Sequence, residues 1–346
     1  MGKSLIKVLV GQRRVGKSVL LSQLMEIIQR TEKNTQIIYI NKELHEFRDI
    51  VHADDLMHYL NKNIKKRKRV ALFIDEVQDI ESFETALRDL VTRAQYDIYC
   101  TGNNANLLSG ELATFLGGRY VEFKVFGLSY SEFLSFHSLS DSEHSFMRYL
   151  RVGGLPYLRN LPNDYSVVTE YLNSIYNTIL LRDVVKRFSI RNVRFLENLV
   201  MFLADHVGSL VSSKKISDYL KSQRVNISPQ VVMDYLSYLE SSFLIIKVKR
   251  SGLEGKRIFD VGEKYFFEDI GLRNAIVGYN SNDIHKIMEN LVYLHLRMAG
   301  YSGTVGLENN KEVDFIAQRT GEKIYIQVAY MLNHERTLAR EFGILL

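Results

Sequence analysis

The chain has 346 residues and a net charge of +5, with 46% apolar and 25% charged side chains; that length exceeds one small core and predicts two or three domains. Three prolines and no low-complexity tract exclude long disordered linkers, and the single cysteine, Cys100, excludes an intrachain disulfide. No apolar run is long enough to cross a bilayer and the N-terminal one is too short for a signal peptide, so a reducing, cytoplasmic setting with no membrane partner is expected.

Leu5 to Val10 is short, apolar and β-branched, and predicts a buried strand. The loop VGQRRVGKS follows, and SVLLSQLMEIIQR then places Val19, Leu20, Gln23, Leu24, Ile27 and Ile28 at helical spacing. Strand, glycine loop and helix in that order are the setting of a phosphate-binding P-loop. Gly11 and Gly16 let the backbone take dihedrals that other residues resist. The stretch Gly11, Gln12, Arg13, Arg14, Val15, Gly16, Lys17, Ser18 and Val19 can then wrap an anion at the positive end of the helix. Lys17 is expected on the β- and γ-phosphates of ATP, and the Ser18 hydroxyl on Mg2+. Arg13 and Arg14 either contact the nucleotide or face solvent, and nothing local decides between these.

QIIYIN, Gln36 to Asn41, predicts a second strand. The basic run KKRKR, Lys65 to Arg69, reads as a solvated turn ahead of a third, with a binding patch as the alternative. RVALFIDEVQDI carries a continuous apolar run, Val70 to Ile74, ending in Asp75 and Glu76, as a buried parallel strand does. Ligands bind at the carboxyl ends of such strands. Asp75 is expected to hold Mg2+ through water or the Ser18 hydroxyl, and Glu76 to act as general base on an attacking water. YDIYCTG, Tyr96 to Gly102, is a fourth strand candidate; Thr101 and Asn103 at its tip are candidates for touching the γ-phosphate or the water, with Asn103 preferred. A helix N-cap at Asn103 or Asn104 is an equal reading of the same residues. VEFKVFGL adds a fifth strand, and the alternation predicts an α/β domain with a mostly parallel sheet and helices on both faces.

GQRRVGKS, LFIDEVQ, TGNNANLLSGELATFLGGRYVEF, GLSYSEFL and GGLPYL together resemble a prokaryotic family of AAA-type P-loop ATPases. The resemblance implies a P-loop ATPase domain (1–135), a helical lid or linker (136–190), a winged-helix domain (191–262) and a small nuclease-like α/β domain (263–346) related to PD-(D/E)xK enzymes. It implies binding and hydrolysis of ATP, with Mg2+, but no known biological substrate; DNA or a protein client as partner, oligomers, and a nucleotide-gated switch with little turnover stay open. It also implies further chain beyond both ends. Arg119, in LGGRY, resembles the arginine of the family's GR motif, which would neutralise γ-phosphate charge in its own chain or in a neighbour's site.

FMRYLRVGGLPYLRNL and EYLNSIYNTILLRDVVKRF read as helices around a glycine–proline break. RFLENLVMFLADHVG, SKKISDYLKSQ and SPQVVMDYLSYLESS follow as amphipathic helices, the third capped by Ser228 with Pro229 at its first position. FLIIKVKR and KRIFDV then predict the two strands of a wing. The third helix exposes Gln230, Asp234, Ser237 and Tyr238 rather than cations, so a packing module is as good a reading as a DNA reader. In the last segment Glu289 and Asp314 stand where a nuclease-like fold would hold a divalent ion. Gln327 and Ala329 stand where its glutamate and lysine would be, so no cleavage of DNA is expected.

Overall fold

Short runs of Val, Ile, Leu, Tyr and Phe in the first third of the chain pair as five parallel strands: β1 (Ile6–Val10), β2 (Thr35–Asn41), β3 (Arg69–Asp75), β4 (Tyr96–Gly102) and β5 (Tyr120–Lys124). The computed structural model describes residues 5–65, 68–93, 95–105, 116–222, 225–252, 262–308 and 311–330. It divides into two compact units, Met1–Phe126 and Gly127–Leu346.

In the first unit the sheet order is β2-β3-β4-β1-β5, and every pairing is parallel. Burial follows that order. All of β4 and all of β3 after Arg69 are buried, whereas the edge strands β2 and β5 are half covered. Continuous apolar sequence in the middle and mixed sequence at the edges are what a sheet flanked by helices requires. Cys100 lies in the central strand with no exposure, and burial alone pushes its thiol well up, so it is a core residue as expected.

Helix α1 (Lys17–Thr31) covers Leu9, Ala71, Phe73 and Tyr99 with Leu21, Leu24, Met25 and Ile28. This stripe is rotated from the one the sequence predicts. Lys17 is itself turned inward, so the buried row runs Lys17, Leu21, Ile28, and Val19, Leu20 and Ile27 are left exposed. Helices α2 (Ala53–Asn63) and α3 (Phe83–Thr92) follow in this unit.

The second unit begins at Gly127, ahead of α4 (Tyr130–His137). Ser129 caps α4 in a capping box with Glu132. Helices α5 (Glu143–Val152) and α6 (Tyr165–Thr178) follow, and α6 runs on into a π-helical stretch, Ile179–Lys186. Gly154 of GGLPYL is tied to the buried Asp269 carboxylate, which accepts from Gly154 N at 2.8 Å and from Leu272 N at 3.0 Å. Burial pushes Asp269 up to about 6 against those bonds.

Helices α7 (Val193–Asp205), α8 (Ser213–Ser222) and α9 (Pro229–Ser241) come next, with Ser228 accepting from Val231 N and Pro229 at the first position as expected. They pack with a three-stranded antiparallel sheet ordered β6 (Leu210–Val211), β9 (Glu263–Phe267), β7 (Ile245–Val248). Two details differ from the expectation. KYFF is the central strand of this sheet, so a boundary at 262 cuts through a hydrogen-bonded ladder. β8 (Arg250–Gly252) leaves that sheet and pairs in parallel with β10 (Ser302–Glu308), joining the last sheet, β12-β11-β10-β8. KRIFDV lies outside the described residues. Helices α10 (Ile270–Val277) and α11 (Ile284–Met298) and the antiparallel strands β11 (Lys311–Arg319) and β12 (Glu322–Ile326) end the described fold.

Candidate nucleotide site

The site is built on the carboxyl edge of the first sheet. Parallel pairing puts the ends of β1, β4 and β3 side by side, with β4 in the middle. The loop after β1, the acids after β3 and the polar tip of β4 are thereby neighbours although up to ninety residues apart.

The loop has an unusual backbone. Gly11 (φ 154°), Arg14 (φ 67°) and Gly16 (φ 101°) all take positive φ. A side chain at Gly11 would also meet the Val125 carbonyl oxygen at 2.2 Å, because Val125 N donates to Val10 O and closes β5 against the loop. Nothing stands within 4 Å of where a Cβ would be at Gly16. The N–H groups of Arg14, Val15 and Gly16 donate to no other backbone group among the described residues. Lys17 is buried and its ammonium donates to the carbonyls of Gly11 and Gln12, each at 2.8 Å. Ser18 and Val19 are exposed, while Gln12 and Val15 are buried. The two arginines separate: Arg13 is buried and pairs with Glu43 at 3.6 Å, and Arg14 is exposed.

Asp75 and Glu76 are both buried, with 2% and 8% exposure. Thr101, wholly buried at the tip of β4, orients the two. Its hydroxyl donates to Asp75 Oδ1 and accepts from Glu76 N at 2.9 Å. The second Asp75 oxygen accepts from Tyr39 OH at 3.2 Å, and Asn41 Nδ2 donates to that phenol oxygen at 3.1 Å. Burial and the Asp75 carboxylate push Tyr39 up to about 12, so it remains a donor at neutral pH. Glu76 takes a left-handed backbone (φ 58°) and accepts from Gln78 Nε2, which also donates to Asn103 Oδ1 at 3.3 Å. Burial raises the proton affinity of Glu76; Lys17, Gln78 and Arg13 oppose the shift. A buried carboxylate pushed towards neutrality is suited to taking a proton from water.

Lys17, Ser18, Asp75, Glu76, Thr101 and Asn103 are thus all assembled at one edge of the sheet. Arg119 is not. Its carbonyl accepts from Ile6 N at 2.9 Å, at the amino ends of β1 and β5. The length of β1, roughly 16 Å at strand rise, separates it from the P-loop of its own chain. Of the two readings of Arg119, action in its own chain or in a neighbour's site, this backbone position favours the second. Sequence reasoning missed Tyr39 and Gln78. Gln78 stands in the DEVQ motif and Tyr39 in QIIYIN, so both were visible, but neither has a local signal for its partner.

Open loop N–H donors, a buried lysine, an exposed hydroxyl and a buried carboxylate are a donor set that fits a triphosphate with a hard divalent ion. The second unit offers a contrast. Lys264, from β9, is almost fully buried, and its ammonium bonds Glu289 at 2.5 Å and Glu312 at 2.7 Å, with Asp314 at 3.9 Å. The expected pair Glu289 and Asp314 does converge, but on a lysine that sequence reasoning missed. Gln327 accepts from Asp314 N at 3.3 Å. No group of three or more His, Cys, Asp or Glu side chains among the described residues is arranged to hold a metal.

The fold and this site define the first unit as a P-loop ATPase fold. Residues 3–134 match the AAA domain family, and residues 143–283 match a domain described only as being of unknown function. An uncharacterized Haemophilus influenzae protein is 36% identical over 94% of this chain and 82% of its own length. The uncharacterized protein MJ1544 of Methanocaldococcus jannaschii is 31% identical over 95% of this chain and 75% of its own length. The chain belongs to the family of these proteins. Among solved structures, the Aeropyrum pernix ORC1 protein in complex with DNA overlaps 79% of this chain and 86% of its own at 12% identity, with a TM-score of 0.35. AMPPCP-bound DnaA from Aquifex aeolicus overlaps 69% of this chain and 83% of its own at 14% identity, with a TM-score of 0.34.

Proposed function

We propose that this chain binds ATP with Mg2+ and hydrolyses it. One observation carries the reading: β4 lies between β1 and β3, so Thr101 joins Asp75 to Glu76 on the sheet edge that carries the P-loop. In this reading Lys17 leaves its loop carbonyls for the β- and γ-phosphates, and the backbone from Gly11 to Val19 wraps them. Ser18 and Asp75 hold Mg2+, which would neutralise phosphate charge. Glu76 takes the proton of the attacking water, and Asn103, linked to Glu76 through Gln78, positions that water. Arg119 serves a neighbour's site. Steady-state phosphate release with and without Mg2+ tests the reading, with ATP affinity measured by calorimetry. Lys17→Ala is expected to abolish ATP binding; wild-type affinity in that variant would remove the P-loop assignment.

One contact favours a second reading, a nucleotide-gated binding switch with little turnover. Gln78 Nε2 already donates to one carboxylate oxygen of Glu76. Turnover at only a trace rate with tight ATP binding would support it.

The order α7, β6, α8, α9, β7, β9 supports a winged-helix reading of that part of the second unit. The last sheet, with α11 and the Glu289–Asp314 pair, supports a nuclease-like fold. Cleavage is not part of the proposal, since the Lys264 ammonium stands among the carboxylates that a metal would need. These segments are read as the surface for DNA or a protein client, in a cytoplasmic setting. No helix among the described residues is long and apolar enough to cross a membrane.

A further inference from the structure

Among the described residues of the second unit, a run of exposed cations leads into the first turn of α7. From Leu181 to Arg194 the sequence LRDVVKRFSIRNVR carries five cations and one carboxylate, Asp183. The cations Arg182, Lys186, Arg191 and Arg194 are exposed, Arg187 is half-buried and Asp183 is buried with 1% exposure. The surface of this segment is therefore positive without interruption. The segment is also held in place. Lys186 ends the π-helical stretch, Arg194 lies in the first turn of α7, and Phe188 between them stacks on Tyr238 of α9 with ring centroids 4.0 Å apart. Phe195 packs on Tyr235 of the same helix at 5.1 Å. By contrast, α9 exposes Gln230, Met233 and Ser237 and no cation.

We propose that Arg182, Lys186, Arg191 and Arg194 form a ridge that binds the phosphate backbone of duplex DNA without reading its sequence. Four exposed cations on this segment supply the attraction and the counterion release of backbone binding. The absence of cations on α9 argues against major-groove reading by that helix, where arginine or lysine would meet guanine. Single-stranded binding needs aromatic faces open to bases. Here the face of Phe188 is taken by Tyr238, which leaves charge as the recognising chemistry and selects the duplex. An anionic lipid surface offers the same phosphates, but this ridge presents only Leu181 beside its cations for insertion.

The proposal concerns binding and is tested without nucleotide, so its outcome is separate from that of the ATPase assignment. Anisotropy of a labelled random-sequence duplex is measured across a salt series. Four phosphate contacts predict a log–log salt slope of about −3.6. Arg191→Glu with Arg194→Glu is expected to weaken binding at least tenfold and to flatten the slope by about 2. Arg182→Gln with Lys186→Gln tests the other half of the ridge and carries the test alone if the first variant melts abnormally. Lys214→Glu with Lys215→Glu makes the same charge change on exposed residues of α8 and should leave the slope unchanged. An absence of duplex binding at low salt would overturn the proposal. So would equal losses in the α8 variant, tighter binding of single strands, or binding of phosphatidylserine vesicles but not of duplex.

Discussion

Thr101 is the residue on which both acids depend. Its hydroxyl donates to Asp75 and accepts from the Glu76 backbone. Thr101→Val keeps the shape and removes both bonds. A buried polar group left without a partner costs about 1–3 kcal/mol, so a lower melting temperature is expected. The variant should also lose turnover more than ATP affinity, because the acids shift while the loop remains; an unchanged kcat would show that Thr101 is only a core residue. Glu76→Gln should retain ATP and slow hydrolysis by about 10²–10⁴-fold, the usual worth of a positioned base. Single-turnover kinetics would check this. The pH profile gives an independent reading. The base must be deprotonated, and burial raises its proton affinity, so the acidic limb of kcat should lie above the ordinary glutamate value. Gln78→Ala removes a contact that lowers that affinity, and should move the limb further up.

At the scale of elements, the clearest device is the lysine that ties β9 to α11 and β11. Lys264 is shielded from water while facing Glu289, Glu312 and Asp314. Burial pushes Glu289 up to about 7, and Lys264 opposes this. The sign follows from proton linkage. Between its ordinary 4.5 and about 7, folded Glu289 binds more protons than unfolded Glu289. Its contribution to stability is complete below 4.5 and is lost as pH rises through 7. Lys264→Met leaves the carboxylates without their cation, and breaking a buried pair costs about 3–5 kcal/mol. Urea midpoints should therefore show the variant far weaker than wild type at about pH 8, with the gap narrowing towards about pH 5 as the acids take protons. A gap that ignores pH would mean that Lys264 acts only through packing of its stem.

At the scale of the whole molecule, the position of Arg119 bears on assembly. It stands at the edge of the sheet opposite the P-loop, so hydrolysis that uses it needs a second chain. The specific rate of phosphate release should then rise with protein concentration. Arg119→Ala and Glu76→Gln chains should each be nearly inactive alone and recover activity when mixed, because the mixture contains an intact acid facing an intact arginine. Failure of the mixture to recover, with both variants folded, would take Arg119 out of the mechanism.

Local signals in the sequence by themselves determined the P-loop, the run into Asp75 and Glu76, the strands of the first sheet and the cap at Ser228. Glycine spacing, β-branched runs and a Ser-Pro pair act over a few residues, so the sequence states them directly. Strand order is different. Only parallel pairing places Thr101 between the loop and the acids, turns Tyr39 towards Asp75 and carries Arg119 to the far edge. The face that α1 buries was likewise decided by the sheet, since Lys17 turns inward and rotates the stripe away from Val19 and Ile27. Lys264 lies twenty-five residues from Glu289 and fifty from Asp314 in sequence, and only the packing of β9 on α11 and β11 joins them. Burying an ammonium there is tolerable because those distant carboxylates surround it, and no spacing within a single element encodes that.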